Sequence, residues 1–185
     1  MRKALIDSHI RILCQSLGKV RSPVDDVSLE RDYRCHDYAR MAGSVKRILK
    51  IETRVRLGLA NSGGPAQAPA WIEYPMPTPM FGSSSFNAMS VTVYLRKSFL
   101  KHAPFETIVI GLAHEFCHLV LDSTGNPLRR SEEAVDLTAM LLGFRDFFVT
   151  GCVHTYNVEG TDYRQTVGYL SPKEVMYAAQ AMTYR

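Results

Sequence analysis

A chain of 185 residues suits a single domain with room for a real core, and 46% apolar against 22% charged residues is far from a disordered composition. The net charge of +4 is unevenly spread: residues 1–60 hold 13 Lys/Arg against 7 Asp/Glu, residues 61–185 hold 9 against 11. No stretch reaches the ~18 consecutive apolar residues of a membrane-spanning helix, and Asp7, His9, Arg11 and Gln15 interrupt the start before it reaches signal-peptide character.

Cys14, Cys35, Cys117 and Cys152 are widely spaced and form no CxxC pair, which excludes the dense disulfide framework of a small secreted domain. Reduced thiols in a cytoplasmic protein are the expectation.

In chain order, Leu5, Ile6, His9, Ile12, Leu13 and Leu17 recur at helical spacing, so residues 2–17 read as an amphipathic helix closed by Gly18. Tyr38, Met41, Val45, Ile48, Leu49 and Leu57 suggest a second helix from about 30 to 57, with Gly43 as a point of breakage. The glycines and prolines of "NSGGPAQAPA" (61–70) and "YPMPTPM" (74–80) predict a long loop. In "MSVTVYL" (89–95), Met89, Val91, Val93 and Leu95 alternate with Ser90, Thr92 and Tyr94, the period of a half-buried strand.

Pro104 opens a helix to about Asp122 that "STGNP" (123–127) stops, and Ser131 caps the next, which continues to about Phe148. Ser171 followed by Pro172 starts a last helix. The fold class is α+β, a single domain over 1–185, with a basic helical region at 1–60 and the core at 61–185.

The residues that carry chemistry lie in "GLAHEFCHLVLD" (111–122). His114 and His118, four residues apart, share one helix face and can hold one metal ion, while Glu115 points toward a ligand in the metal's open position. With 6 His and 9 Glu in the chain, random order gives HExxH with a probability of roughly 1%. A catalytic zinc takes three protein ligands and leaves a fourth place to water. The third is sought in "SEEAVD" (131–136), where Glu132 and Asp136 are also four apart, so Glu132 can reach the metal while Asp136 fixes a ligand imidazole. Glu133 remains the alternative ligand. Cys117 is expected to pack behind the site.

HEFCH followed by ExxxD on the next helix resembles the gluzincin zinc metallopeptidases, and most closely the minimal ones of the M48-like and ImmA/IrrE-like kind. The resemblance spans residues 89–146. It implies a zincin-like fold, a small antiparallel or mixed sheet packed on the active-site helix with additional N-terminal and C-terminal helices. It implies one Zn2+ per chain held by His114, His118 and Glu132, with Glu115 as general base, and a peptide or protein substrate. In such folds a strand edge beside the active helix binds extended peptide, a role that residues 89–95 would fill. No third histidine follows at the metzincin spacing. A side-chain donor to the oxyanion is expected downstream, with His154, Tyr156 and Tyr163 as candidates.

A reading from another class is a metal-binding regulatory or interaction module on the same scaffold. Its basic N-terminal helices would contact a protein or nucleic acid through Arg40, Lys46, Arg47, Lys50, Arg54 and Arg56. Nucleic acid is not the expected partner, but the basic region leaves that route open.

Overall fold

The computed structural model describes residues 1–65 and 68–183. It is a mixed α+β fold in which helices surround a three-stranded sheet and a separate two-stranded hairpin. Among the described residues no helix is long and apolar enough to cross a membrane.

Helix α1 (Lys3–Leu17) buries Ile6, His9, Ile10 and Leu13 and ends at Gly18, whose φ of +92° carries the chain away from the helix. The second expected helix is instead two helices and a strand. Helix α2 (Val27–Arg34) stops at a turn where His36 takes a φ of +55°, and Asp37 starts α3 (Tyr38–Ile48) by accepting the Arg40 N–H at 3.0 Å. Gly43 lies inside α3 without breaking it. Lys50, at φ +59°, closes α3: its N–H bonds the Arg47 carbonyl and that of Ile51 bonds Lys46, a Schellman end. The chain then extends into strand β1 (Arg54–Ala60) rather than continuing as helix. Val55, Leu57 and Leu59 alternate with Arg54, Arg56 and Gly58, a period of two that the longer helical reading obscured.

Strand β2 (Ala70–Glu73) lies within the stretch expected to be loop, and the short helix α4 (Ser84–Ala88) leads into β3 (Ser90–Arg96). β3 is central. It pairs in parallel with β1, Val55 beside Val91 and Leu57 beside Val93, and antiparallel with β2, Ile72 beside Val93. Its Val91, Val93 and Leu95 are buried, as the alternation predicts. With a neighbour on each side, however, β3 has no edge to offer a peptide, and among the described residues the edge strands of this sheet are β1 and β2.

Helix α5 (Lys97–His102) precedes α6 (Phe105–Ser123), which is buried along nearly its whole length and forms the centre of the core. Gly125, at φ +61°, turns the chain back, and Ser131 caps α7 (Glu132–Ala139) by accepting the Ala134 N–H at 3.2 Å. The expected single helix to Phe148 is interrupted by a π-turn at Met140–Phe144 with Gly143 at φ +111°, before α8 (Arg145–Gly151). The cause lies in the packing of residues 21–24. Arg21 N–H bonds the Leu141 carbonyl and Val24 N–H bonds that of Gly143, and a Cβ at Gly143 would lie 2.8 Å from the Ser22 oxygen.

The segment 153–166, which carries His154, Tyr156 and Tyr163, is a hairpin of β4 (Val153–Val158) and β5 (Thr161–Thr166). Its two-residue turn, Glu159 at φ +51° and Gly160 at φ +83°, has the paired left-handed residues of a type I′ turn. Helix α9 (Pro172–Thr183) closes the described chain, with Glu174 accepting from both the N–H and the hydroxyl of Ser171.

Candidate metal centre

Helix α6 carries His114, Glu115 and His118, and α7 returns beside it with Glu132 and Asp136. The hairpin then delivers the segment 167–171 against the same place. Three side chains converge. His114 Nε2 and His118 Nε2 lie 3.2 Å apart, and Glu132 Oε2 lies 3.2 Å from the first and 3.3 Å from the second. His114, His118 and Glu132 are a group that could hold a metal ion. Two imidazole nitrogens and a carboxylate oxygen aimed at one point leave their lone pairs unshared unless a cation or protons sit among them.

In the metal-free chain the surrounding carboxylates favour a proton on His114. Burial pushes the His114 imidazole down, but hydrogen bonds to Asp136 and Glu132 outweigh it and raise His114 to about 10. Hydrogen bonds from His114 and His118 in turn hold the Glu132 carboxyl well below the usual carboxylate range.

Behind His114, its Nδ1 lies 2.8 Å from Asp136 Oδ1, and Asp136 is fully buried. The other oxygen of Asp136 accepts the backbone N–H of Tyr169 at 2.6 Å and of Leu170 at 3.0 Å. A carboxylate so held takes its bond from Nδ1–H, which leaves Nε2 as the lone-pair atom facing the cluster. Gly168, at φ +89°, makes this approach possible: a Cβ there would lie 2.8 Å from Asp136 Oδ2.

Glu115 sits beside the cluster. Burial raises its carboxyl above the ordinary glutamate value, opposed by the charges of His114 and His118 and by a backbone hydrogen bond from Ile72 on β2. A raised carboxyl next to a group that could hold a metal ion is in the condition expected of a proton acceptor and donor. The cavity here, about 260 Å³, is lined by Ala70, Gly111, His114, Glu115, Val167 and Tyr169 among others.

Arg2 separates the two glutamates. Its Nη1 lies 2.6 Å from Glu133 Oε1, and the Ser131 hydroxyl donates to Glu133 Oε2 at 3.0 Å, so Glu133 turns away while Glu132 joins the histidines. Cys117 is fully buried, its thiol pushed up chiefly by burial, and it packs in the core behind the histidines.

The structure takes the three downstream candidates elsewhere. His154 is buried with Nδ1 3.5 Å from the Thr107 hydroxyl, and Tyr156 stacks between His102, at 4.8 Å, and Tyr163, at 5.5 Å. None of them lines the cavity at His114, whereas Tyr169 does, its ring stacked on the His114 imidazole at 5.5 Å. Nothing local in the sequence marks Tyr169. The only nearby signal is the adjacent Gly168, which the left-handed turn requires.

The six basic side chains of the alternative reading divide between α3, its closing turn and β1, and Arg47 is already bonded to the Gly43 carbonyl and the Ser44 hydroxyl. No protein-family model matches the chain, and neither a search of curated proteins nor one of solved structures finds a match.

Proposed function

We propose that this protein is a zinc metallopeptidase with a zincin-like fold, hydrolysing peptide bonds with Glu115 as general base. The observation that carries the reading is the spacing of the three donors. Zinc bonds of about 2.0–2.2 Å in tetrahedral array place ligand atoms about 3.3 Å apart, and the three separations here are 3.2, 3.2 and 3.3 Å. Two imidazoles and one carboxylate are also a donor set typical of a catalytic zinc, with a fourth place left for water.

Bound there, zinc supplies a Lewis acid and lowers the pKa of a water molecule. With zinc held by His114, His118 and Glu132, Glu115 would take a proton from the attacking water and return it to the leaving amine, so that one water is consumed and a carboxylic acid and an amine result. Its burial suits the task, because a carboxyl raised toward neutrality can both accept and give a proton. Asp136 holds His114 in the ligating tautomer. Tyr169, lining the same cavity, offers a phenol to the carbonyl oxygen as charge develops on it. The unpaired outer edge of β2, joined to Glu115 through the Ile72 N–H, is where an extended peptide would add as a further strand.

The test compares wild type with Glu115→Gln, measuring zinc content by elemental analysis and cleavage of a mixture of unstructured peptides by mass spectrometry. Glu115→Gln should keep its zinc and lose about 10²-fold or more in hydrolysis. Full activity of that variant, or hydrolysis indifferent to removal of the metal, would sink the assignment.

A further inference from the structure

A second cavity, about 560 Å³, shares no lining residue with the one at His114. It lies where the turn between α2 and α3 meets α5, and its charge is of one sign. Lys97 and Lys101, four apart on α5, come from one side, His102 follows them, and His36 comes from the opposite turn. No carboxylate lines the cavity, and among the described residues none of these four side chains forms an ion pair.

Two features of this arrangement run against stability. Lysines at i and i+4 repel each other. His36 holds a left-handed backbone, φ +55°, that a residue with a Cβ adopts at a cost, and strain of that kind gathers at ligand sites. The turn is pinned there by the His36 N–H on the Tyr33 carbonyl at 2.9 Å, while the Tyr33 hydroxyl reaches the Ala103 carbonyl at 3.4 Å. Tyr33 is thus tied across the cavity, and the His36 imidazole stands edge-on to the Tyr38 ring at 6.2 Å.

Among the remaining lining residues, Leu100, Ala103 and Pro104 give an apolar floor beside the two tyrosine rings, and Thr155 adds a hydroxyl. Ammonium and imidazole groups without counter-charges suit a phosphate, and a flat apolar and aromatic floor suits a ring attached to it. The volume falls in the range of about 300–1,000 Å³ usual for small-ligand sites.

We propose that this cavity binds a mononucleotide, its phosphate between Lys97, Lys101 and His36 and its base against Tyr38 and the apolar floor. The site is independent of the metal centre and of the reaction proposed there.

Calorimetric titration of the full chain, with a chelator present to keep phosphate off the metal site, uses AMP, ADP and inorganic phosphate as probes. AMP and ADP should bind, and inorganic phosphate about tenfold or more weakly, because it lacks the ring. Lys97→Ala combined with Lys101→Ala should weaken AMP by about tenfold or more without moving the thermal unfolding midpoint, since both side chains are exposed. Tyr38→Ala should weaken AMP and leave inorganic phosphate unchanged.

No heat of binding for AMP or ADP at millimolar concentration would overturn the assignment, as would AMP affinity unchanged in the double lysine variant. A single-stranded oligonucleotide that outbinds AMP about tenfold with steep salt dependence would also overturn it, and would assign the surface to nucleic acid.

Discussion

Asp136→Asn changes one atom and should remove much of the metal affinity. The Asp136 carboxylate receives three donors, His114 Nδ1–H on one oxygen and the N–H groups of Tyr169 and Leu170 on the other. An asparagine has one acceptor oxygen and one NH2 group. Its oxygen will stay with the two backbone N–H groups, because turning it would strand both in a buried place at about 1–3 kcal/mol each. The NH2 then faces His114 Nδ1, which must become the acceptor, and the ring proton moves to Nε2, the atom aimed at His118 and Glu132. A protonated Nε2 is no ligand.

The expected loss of zinc affinity is about 10–100-fold, equal to about 1.4–2.8 kcal/mol, measured by competition with a chromophoric chelator. The backbone bonds survive, but the metal-free variant loses the buried carboxylate that leads in raising His114, so it should unfold more easily than wild type near neutral pH. Gly168→Ala reaches the same carboxylate from the other side, since its Cβ would lie 2.8 Å from Asp136 Oδ2, and should also weaken metal binding. Asp136→Asn with zinc affinity within about threefold of wild type would refute the tautomer argument.

The same cluster governs two further outcomes. His114, raised to about 10 in the metal-free chain, holds a proton that a metal must displace, so zinc affinity should climb with pH from 6.5 toward 10 and zinc uptake should release protons into weakly buffered solution. The same shift contributes stability to the metal-free chain that is present below the unfolded histidine value and lost as pH rises through about 10, so its thermal midpoint should fall over that interval; a flat affinity profile would contradict the protonated cluster. Glu132→Gln should reduce zinc affinity by about 10²-fold or more while Glu133→Gln stays near wild type, because Glu133 is held by Arg2 and Ser131; equal losses in a chelator competition would contradict the ligand assignment.

The helices bearing the candidate metal cluster were legible because each signal is local. HExxH needs only a helical spacing, and Ser131 announces the start of α7 by its capping chemistry. β3 was legible from strict alternation, but its neighbours were not, and an alternating strand looks the same whether it lies in the middle of a sheet or at its edge. β1 was lost inside a helical pattern because Val55 and Leu57 satisfy both periods over so short a run, and the boundary is set by Lys50 in a left-handed turn that no glycine marks. The choice between Glu132 and Glu133 rests on Arg2, 131 residues away, and the support of Asp136 rests on Tyr169 and Leu170, 33 and 34 residues away. Such contacts belong to topology, and spacing along the chain carries no trace of them.

Arg2 shows how the basic N-terminal region bears on the metal centre without touching it. Its guanidinium bonds Glu133 at the start of α7 and Glu174 near the start of α9, and the Glu174 carboxyl is held at about 2 chiefly by that bond. One side chain of α1's leading turn thereby ties the helix that carries Glu132 and Asp136 to the helix that comes after Tyr169 and Leu170. The two halves of the centre, ligands from α6 and α7 and the backbone cradle of Asp136 from residues 169–170, come from segments with no covalent reason to stay in register. Metal ligation needs that register, because a carboxylate displaced by a few tenths of an ångström no longer selects the imidazole tautomer. The N-terminal helix therefore belongs to the scaffold of the centre, whatever else its basic surface contacts.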